Sequence, residues 1–302
     1  MSRLLWGIDL GGTKIEGAIL DAGQPLSVPH RLRRETGAAK GYEHVLTQIA
    51  GVIRDLEIAS GESRPSVIGV GTPGALEPDT GALKNSNTTC LNGRPILNDL
   101  QVALGREVRL MNDANCFALA EAIMGAGAGE EVVMGLILGT GVGGGIVVRG
   151  KIINGRHGIA GEWGHNPLPG ESRRCYCGRI GCVETVLAGP SLERDYRDAG
   201  GDAVRLPEIV SRARDGEPAA TAIIRRLQAK FGEAIAAVIN IVDPDAIIIG
   251  GGVGNIDELY TGEARACIRQ HVFNQELRTR ILRPRLGDSA GVFGAALLGA
   301  GP

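Results

Sequence analysis

Aromatic side chains are scarce: Phe, Trp and Tyr make up 3% of the chain, too few for a surface that stacks single-stranded nucleic-acid bases. An excess of one charge is also missing. The 32 Lys and Arg against 34 Asp and Glu leave a formal −2 with no basic block, so nothing points to nucleic acid as a partner. No long hydrophobic run indicates a membrane. The uncharged stretch from Val132 to Val148 carries six glycines and a Thr and reads as strand, turn, strand. Met1-Ser2-Arg3 is followed by only three apolar residues before Gly7, which is no signal peptide. A cytoplasmic protein is expected, in which paired cysteines are metal ligands or spectators rather than disulfides. A Walker-type G-x-x-x-x-G-K-[ST] is absent as well. The two G-x-G-x-x-G matches, at Gly69/Gly71/Gly74 and Gly139/Gly141/Gly144, lack the helix that must follow a dinucleotide fingerprint.

Glycine is abundant instead. The 47 glycines in 302 residues are about twice the usual ~7% and follow no collagen period, so they read as turn and ligand-contact positions. A chain of this length holds two domains or one duplicated unit. Two short apolar segments, 4–10 and 15–20, flank Gly11-Gly12-Thr13-Lys14. About 130 residues later, 132–138 and 144–148 flank Gly139-Thr140-Gly141-Val142-Gly143 in the same strand, glycine turn, strand design. This repetition predicts an internal duplication.

Between the hairpins the hydrophobic period becomes helical. Val45, Leu46, Ile49, Val52, Ile53 and Leu56 form one stripe, and residues from Ile223 to Val242 form a second that must stop at Asp243-Pro244. Buried strands are predicted at 67–70, 108–111 and 246–249, the last running into Gly250-Gly251-Gly252. Alternating strands and helices with motifs at the strand ends give an α/β protein that binds ligands at carboxyl ends of strands. Glycine turns of this kind bring backbone N–H groups close to phosphate oxygens. Asp9 can hold Mg²⁺ through water, while Thr13 and Lys14 can meet phosphate; the alternative for a single hairpin is a plain turn.

The segment 167–182 has no period and reads as a loop. His165, Cys175, Cys177 and Cys182 lie with nine, one and four residues between successive members, a spacing that lets one imidazole and three thiolates converge on a structural zinc. Cys90, Cys116 and Cys267 lack such spacing and read as small buried hydrophobes.

The motifs Asp9-Leu10-Gly11-Gly12-Thr13-Lys14, Leu138-Gly139-Thr140-Gly141-Val142-Gly143 and Ile249-Gly250-Gly251-Gly252 resemble the phosphate and adenosine motifs of actin/hexokinase-like ATPases. Glu162-Trp163-Gly164-His165 followed by Cys175-Tyr176-Cys177-Gly178-Arg179-Ile180-Gly181-Cys182 resembles the signature of the ROK family of repressors, open reading frames and sugar kinases. The resemblance implies a duplicated actin/hexokinase-like (ribonuclease H-like) α/β fold with two domains flanking a cleft. One domain would comprise 1–115 and 289–302, the other 116–288 with the zinc loop 165–182. It also implies an ATP- and Mg²⁺-dependent hexose kinase, a homodimer, with a structural Zn²⁺. Asp9, Gly11, Gly12, Thr13, Lys14, Gly139, Thr140, Gly141, Gly251 and Gly252 would bind nucleotide. Asn87, Asn112, Asp113, Glu162, His165 and Glu184 would bind the sugar.

A kinase of this kind needs a base for the sugar hydroxyl. Asp113 matches the family's catalytic aspartate; the plainer role for it is capping a helix that starts near Ala114. Residues 84–93 and 160–169 are most similar to bacterial fructokinases, which implies fructose as substrate, whereas 112–119 are equally similar to N-acetylglucosamine kinases. N-acetylglucosamine or glucose is therefore the alternative. A sugar-sensing repressor would need a DNA-binding domain, for which the hairpin beginning at residue 4 leaves no room.

Overall fold

The computed structural model describes residues 4–23 and 27–300. Met1-Ser2-Arg3, on which the signal-peptide reading partly rests, and the final two residues lie outside that description. Among the described residues, no helix is long and apolar enough to cross a membrane.

Ten strands build two five-stranded sheets. The first contains β1 (Leu4–Leu10), β2 (Lys14–Asp21), β3 (His30–Glu35), β4 (Val67–Thr72) and β5 (Glu107–Asn112). Its order is β3-β2-β1-β4-β5, with β1 antiparallel to β2 and parallel to β4. The second contains β6 (Val132–Leu138), β7 (Val142–Val148), β8 (Lys151–Ile152), β9 (Ala246–Gly250) and β10 (Arg280–Leu282). Its order, β8-β7-β6-β9-β10, repeats the first, with β9 parallel to both β6 and β10. The duplication predicted from the two glycine hairpins is therefore present strand by strand.

The helical stripes lie on α1 (Tyr42–Ser60) and, further on, on a 25-residue helix. Two others matter for the site: α2 (Asp113–Ile123) follows β5 directly, the long helix is α3 (Pro218–Val242), and α4 (Ala290–Leu298) closes the described chain. α3 ends where expected, because Asp243 adopts the left-handed φ of 48° and Pro244 cannot continue a helix.

The chain forms two compact units, one of residues 1–129, 145–160 and 285–302, the other of residues 130–144 and 161–284. Residues 116–129, 145–160 and 285–288 thus belong with the first unit, whereas the resemblance implies a second domain of 116–288. The reason is packing: α4 lies so close to α2 that a Cβ on Gly294 would collide with the Cys116 carbonyl oxygen. Not all the glycines serve turns or ligands. A Cβ on Gly69 would overlap the Ala295 carbonyl oxygen, and one on Gly7 would meet Val292 O and Ala296 N. These two glycines let α4 settle directly on β1 and β4.

In the first unit, Trp6, Ile8, Leu10 and Ile15 of the hairpin are buried with Ile49, Val52, Ile53 and Leu56 of α1. In the second, Leu136 and Leu138 are buried with Ile247 and Ile249 and with Leu227, Phe231 and Ile235 of α3. Each glycine turn is thereby mounted on a rigid core.

Candidate functional site

The first unit carries an acidic pair at the carboxyl ends of its strands. Asp9 is the penultimate residue of β1, and Asp113 is the first residue of α2, directly after β5. Burial, followed by the nearby Asp113 and Glu16 carboxylates, pushes Asp9 up to about 7, against the opposing pull of Lys14. Asp113 is likewise raised by burial, with the Ala114 backbone N–H and the Asn112 side chain acting in the other direction. A carboxylate raised by burial at a strand end is a candidate functional position. The helix cap is in fact Asn112, whose side chain accepts from Ala114 N at 2.9 Å. Its amide also donates to Gly74 O at 3.0 Å, so Asn112 holds the β5–α2 junction against the protein's own backbone.

The turn between β1 and β2 closes through Gly11 N to Lys14 O at 2.9 Å. Gly12, Thr13 and Lys14 are exposed on it, free to face a ligand. Thr36, which nothing in the sequence singled out, holds this turn from below: its hydroxyl donates to Gly11 O at 2.6 Å and its N–H to Thr13 O at 2.9 Å. The loop bearing the exposed Asn87 lies alongside, since a Cβ on Gly12 would touch the Thr88 hydroxyl. Asn92 pins that loop by accepting from Ser86 N and donating to Ser86 O, both at 2.9 Å.

The second unit carries the other turn. Gly139 N donates to Gly141 O at 2.9 Å, and Gly139 O accepts from Gly189 N at 2.8 Å, leaving Thr140 exposed at the tip. Gly251 and Gly252 are exposed where β9 ends. Gly251 has φ 82° and lies so close to β6 that a Cβ would strike the Leu138 backbone, a position open to glycine alone.

In the same unit the ligating atoms of His165, Cys175, Cys177 and Cys182 all lie within 4.8 Å of one another. Cys175 Sγ is 3.6 Å from His165 Nδ1, and Cys177 Sγ is 3.6 Å from Cys182 Sγ. A disulfide would need a separation near ~2.05 Å, whereas zinc with Zn–S bonds of about 2.3 Å has tetrahedral edges of about 3.8 Å. The four residues therefore fit a tetrahedral metal. Burial and the crowding of neighbouring thiols push Cys182 up to about 12 and raise Cys175 as well; a bound cation reverses both effects. Of the remaining cysteines, Cys116 is buried as expected, whereas Cys90 and Cys267 are only partly so.

Glu184, two residues beyond Cys182, opens a short helix and reaches the glycine turn: its Oε2 accepts from Val142 N at 2.9 Å. Cys175 Sγ lies 3.9 Å from Glu184 Oε1. The His/Cys cluster, Glu184 and the Gly139–Gly141 turn are thus one connected assembly, and Glu162 immediately precedes the single turn Trp163–His165. Tyr176, quoted in the cysteine motif but given no role, stands largely exposed against His165. Its hydroxyl is 3.1 Å from His165 Nε2, with the rings edge to face at 5.3 Å. Withdrawal from water, then the Glu184, Cys175 and Glu162 charges, push that hydroxyl up to about 12. It stays a neutral donor at physiological pH.

The predicted site residues thus divide by unit: Asp9, Gly11–Lys14, Asn87, Asn112 and Asp113 in the first, Gly139–Gly141, Glu162, Glu184, Gly251, Gly252 and the His/Cys set in the second.

The sequence model of the ROK family matches residues 5–301. An N-acetyl-D-glucosamine kinase of Citrobacter koseri is 37% identical, over 98% of this chain and 99% of its own length. A crystal structure of a ROK hexokinase from Thermus thermophilus aligns with a TM-score of 0.89 at 34% identity, covering 99% of this chain and 98% of that one. A ROK-family glucokinase from Streptomyces griseus, in complex with glucose and AMPPNP, aligns at 0.78 with 28% identity and 99% coverage of both chains. The duplicated α/β fold is the one these kinases share, and the chain belongs to the sugar kinases of the ROK family.

Proposed function

We propose that the protein transfers the γ-phosphoryl group of ATP to a hydroxyl of an N-acetylated hexosamine, N-acetyl-D-glucosamine first among them. The observation that carries the phosphotransfer reading is Asp113, a carboxylate of raised pKa at the start of α2. The attacking hydroxyl must lose its proton as the phosphoryl group leaves ATP through a largely dissociative transition state. A carboxylate whose pKa is raised by burial is a stronger proton acceptor than an ordinary one. The donor Gly11–Lys14 turn and the Gly139–Gly141 turn offer backbone N–H groups, Thr13 and Lys14 to phosphate oxygens, and Asp9 offers a hard oxygen ligand to Mg²⁺ through water. Gly251 and Gly252 leave open backbone for the nucleotide.

The choice of sugar rests on the N-acetyl-D-glucosamine kinase relative and on residues 112–119. Fructose, the expectation drawn from residues 84–93 and 160–169, gains no support from that relative. A coupled assay of ADP release over N-acetylglucosamine, glucose, mannose and fructose decides the matter. The highest kcat/KM is expected for N-acetylglucosamine. A best rate on fructose would restore the fructokinase reading, and no turnover of any hexose would reject the kinase reading altogether.

His165, Cys175, Cys177 and Cys182 would hold the structural zinc. When bound, it supplies a fixed anchor for the loop, and the chain's own residues do the rest: Cys182 and His165 position Glu184 and Glu162 for the sugar hydroxyls. Metal analysis is expected to find about one zinc per chain. Cys177 is the exposed member of the set, so Cys177→Ala should release zinc with the core intact and raise the sugar KM on the order of 10-fold. An unchanged KM in zinc-free protein would detach the loop from the sugar.

A further inference from the structure

Tyr260, which no motif singles out, closes the glycine turn at the end of β9. That turn runs from Ile249, next to last in β9, through Gly250-Gly251-Gly252 to Gly254, the last residue of a single helical turn. Its two ends meet: a Cβ on Gly254 would stand 2.5 Å from the Ile249 carbonyl oxygen. The Tyr260 hydroxyl sits across the closure, 2.6 Å from Gly254 O and 3.2 Å from Ile249 O. A phenol has one proton to donate, and Gly254 O, the nearer oxygen, accepts it. Glycine loses more backbone freedom on ordering than any other residue, so a turn built from glycines gains most from a clamp supplied outside it.

The phenol is itself held in place. Tyr260 ends the short 3₁₀ turn Asp257–Tyr260, which three other elements of the same unit grip. Arg214, the last residue of the helix Leu206–Arg214, donates from Nη2 to Asp257 Oδ2 and from Nε to Glu258 Oε1, both at 2.9 Å. Gln228 of α3 donates to Glu258 O at 2.8 Å. Arg283 pairs with Asp257 and lays its guanidinium over the Tyr260 ring, 4.2 Å from the centroid, a cation–π contact that fixes the ring plane. The geometry points to Tyr260 as the positioning residue of this turn: its hydroxyl holds the exposed backbone of Gly251 and Gly252 in one conformation before a nucleotide arrives. A loop already rigid in its binding form raises affinity by removing an ordering cost. Tyr260 itself touches no substrate, and the effect belongs to the nucleotide alone. The assignment rests on the reading of Gly251 and Gly252 as nucleotide-binding backbone.

The test compares wild-type protein with Tyr260→Phe by calorimetric binding of ADP and of the hexose that the wild type phosphorylates best, by steady-state kinetics, and by amide hydrogen exchange of the nucleotide-free protein. Phe keeps the ring in its packing and beneath Arg283 and removes only the hydroxyl. The ADP Kd and the ATP KM are expected to rise by about 3- to 10-fold, the worth of one ordinary hydrogen bond, while the hexose Kd and the kcat at saturating ATP stay at wild-type values. Exchange should quicken across residues 250–255 and not elsewhere. An unchanged ADP affinity in the variant overturns the assignment. A fall in ADP and hexose affinity together, with faster exchange throughout the chain, overturns it as well, since Tyr260 would then serve general stability. Wild-type protein that binds no ADP would bring down the kinase reading, and the assignment with it.

Discussion

Asp113→Asn is expected to lower kcat by ~10²–10⁴-fold while the sugar Kd changes by no more than about 3-fold. The amide keeps the size of the carboxylate and one acceptor oxygen, so it still accepts a hydrogen bond but cannot take the hydroxyl proton. Structural damage is not expected, because helix α2 is capped by Asn112, whose side chain accepts from Ala114 N at 2.9 Å. Asp113 Oδ1 accepts from the same N–H at 2.8 Å, a bond that the Asn oxygen can repeat. The loss should fall on kcat, since proton acceptance matters only on the way to the transition state. Wild-type activity should also fall at acid pH, because a base of raised pKa is protonated sooner as pH drops. A variant that binds sugar, unfolds like the wild type and turns over normally would remove Asp113 from the mechanism.

Features encoded over short stretches of chain were the legible ones. The β1–β2 hairpin announces itself by two apolar runs around Gly11-Gly12, and α3 by a helical stripe with a proline two residues past its end. The His/Cys set is readable because all four ligands fall within 18 residues, 165–182, so spacing alone implies convergence. What stayed hidden depends on chain segments far apart. Strand β3 reads His-Arg-Leu-Arg-Arg-Glu, with one apolar residue, because it is an edge strand whose register comes entirely from β2. Strand β10 has three residues, too few for any period. Gly7 and Gly69 look like ligand glycines but serve the approach of α4, more than 220 residues later.

The site divides along the same line. Asp9, Asp113 and the two glycine turns follow from local motifs at strand ends. The tie from Glu184 to Val142 N joins residues 42 apart, and Thr36 reaches Gly11 O across 25. Glu121 is completely buried, and its carboxylate accepts the backbone N–H groups of Ala126, Arg285 and Leu286 at 2.8–3.1 Å. It fixes the place where the chain re-enters the first unit, yet in sequence it is one glutamate on an alanine-rich helix. A buried carboxylate needs donors, but the sequence does not say which backbone will bring them.

Asp9→Asn should stabilise the protein above neutral pH in the absence of Mg²⁺ and nucleotide. Asp9 titrates at about 7 instead of an ordinary 3.8, through burial first and then the Asp113 and Glu16 charges. Below about pH 4 the carboxyl is protonated in both folded and unfolded chains and contributes nothing. Between about 4 and 7 the unfolded chain has lost the proton while the folded one retains it, so folding takes up a proton and stability falls as pH rises. Above about 7 the cost is complete, with a ceiling on the order of 4 kcal/mol at about 1.4 kcal/mol per pH unit. Such a cost is tolerable where a cation completes the site: Mg²⁺ beside Asp9 would return its pKa toward the ordinary range. Urea denaturation at pH 5, 6.5 and 8 should show wild-type stability declining across the series and the variant remaining flatter. Adding Mg²⁺ with nucleotide should flatten the wild type alone. Equal slopes for the two proteins would mean that Asp9 ionises normally in the folded chain.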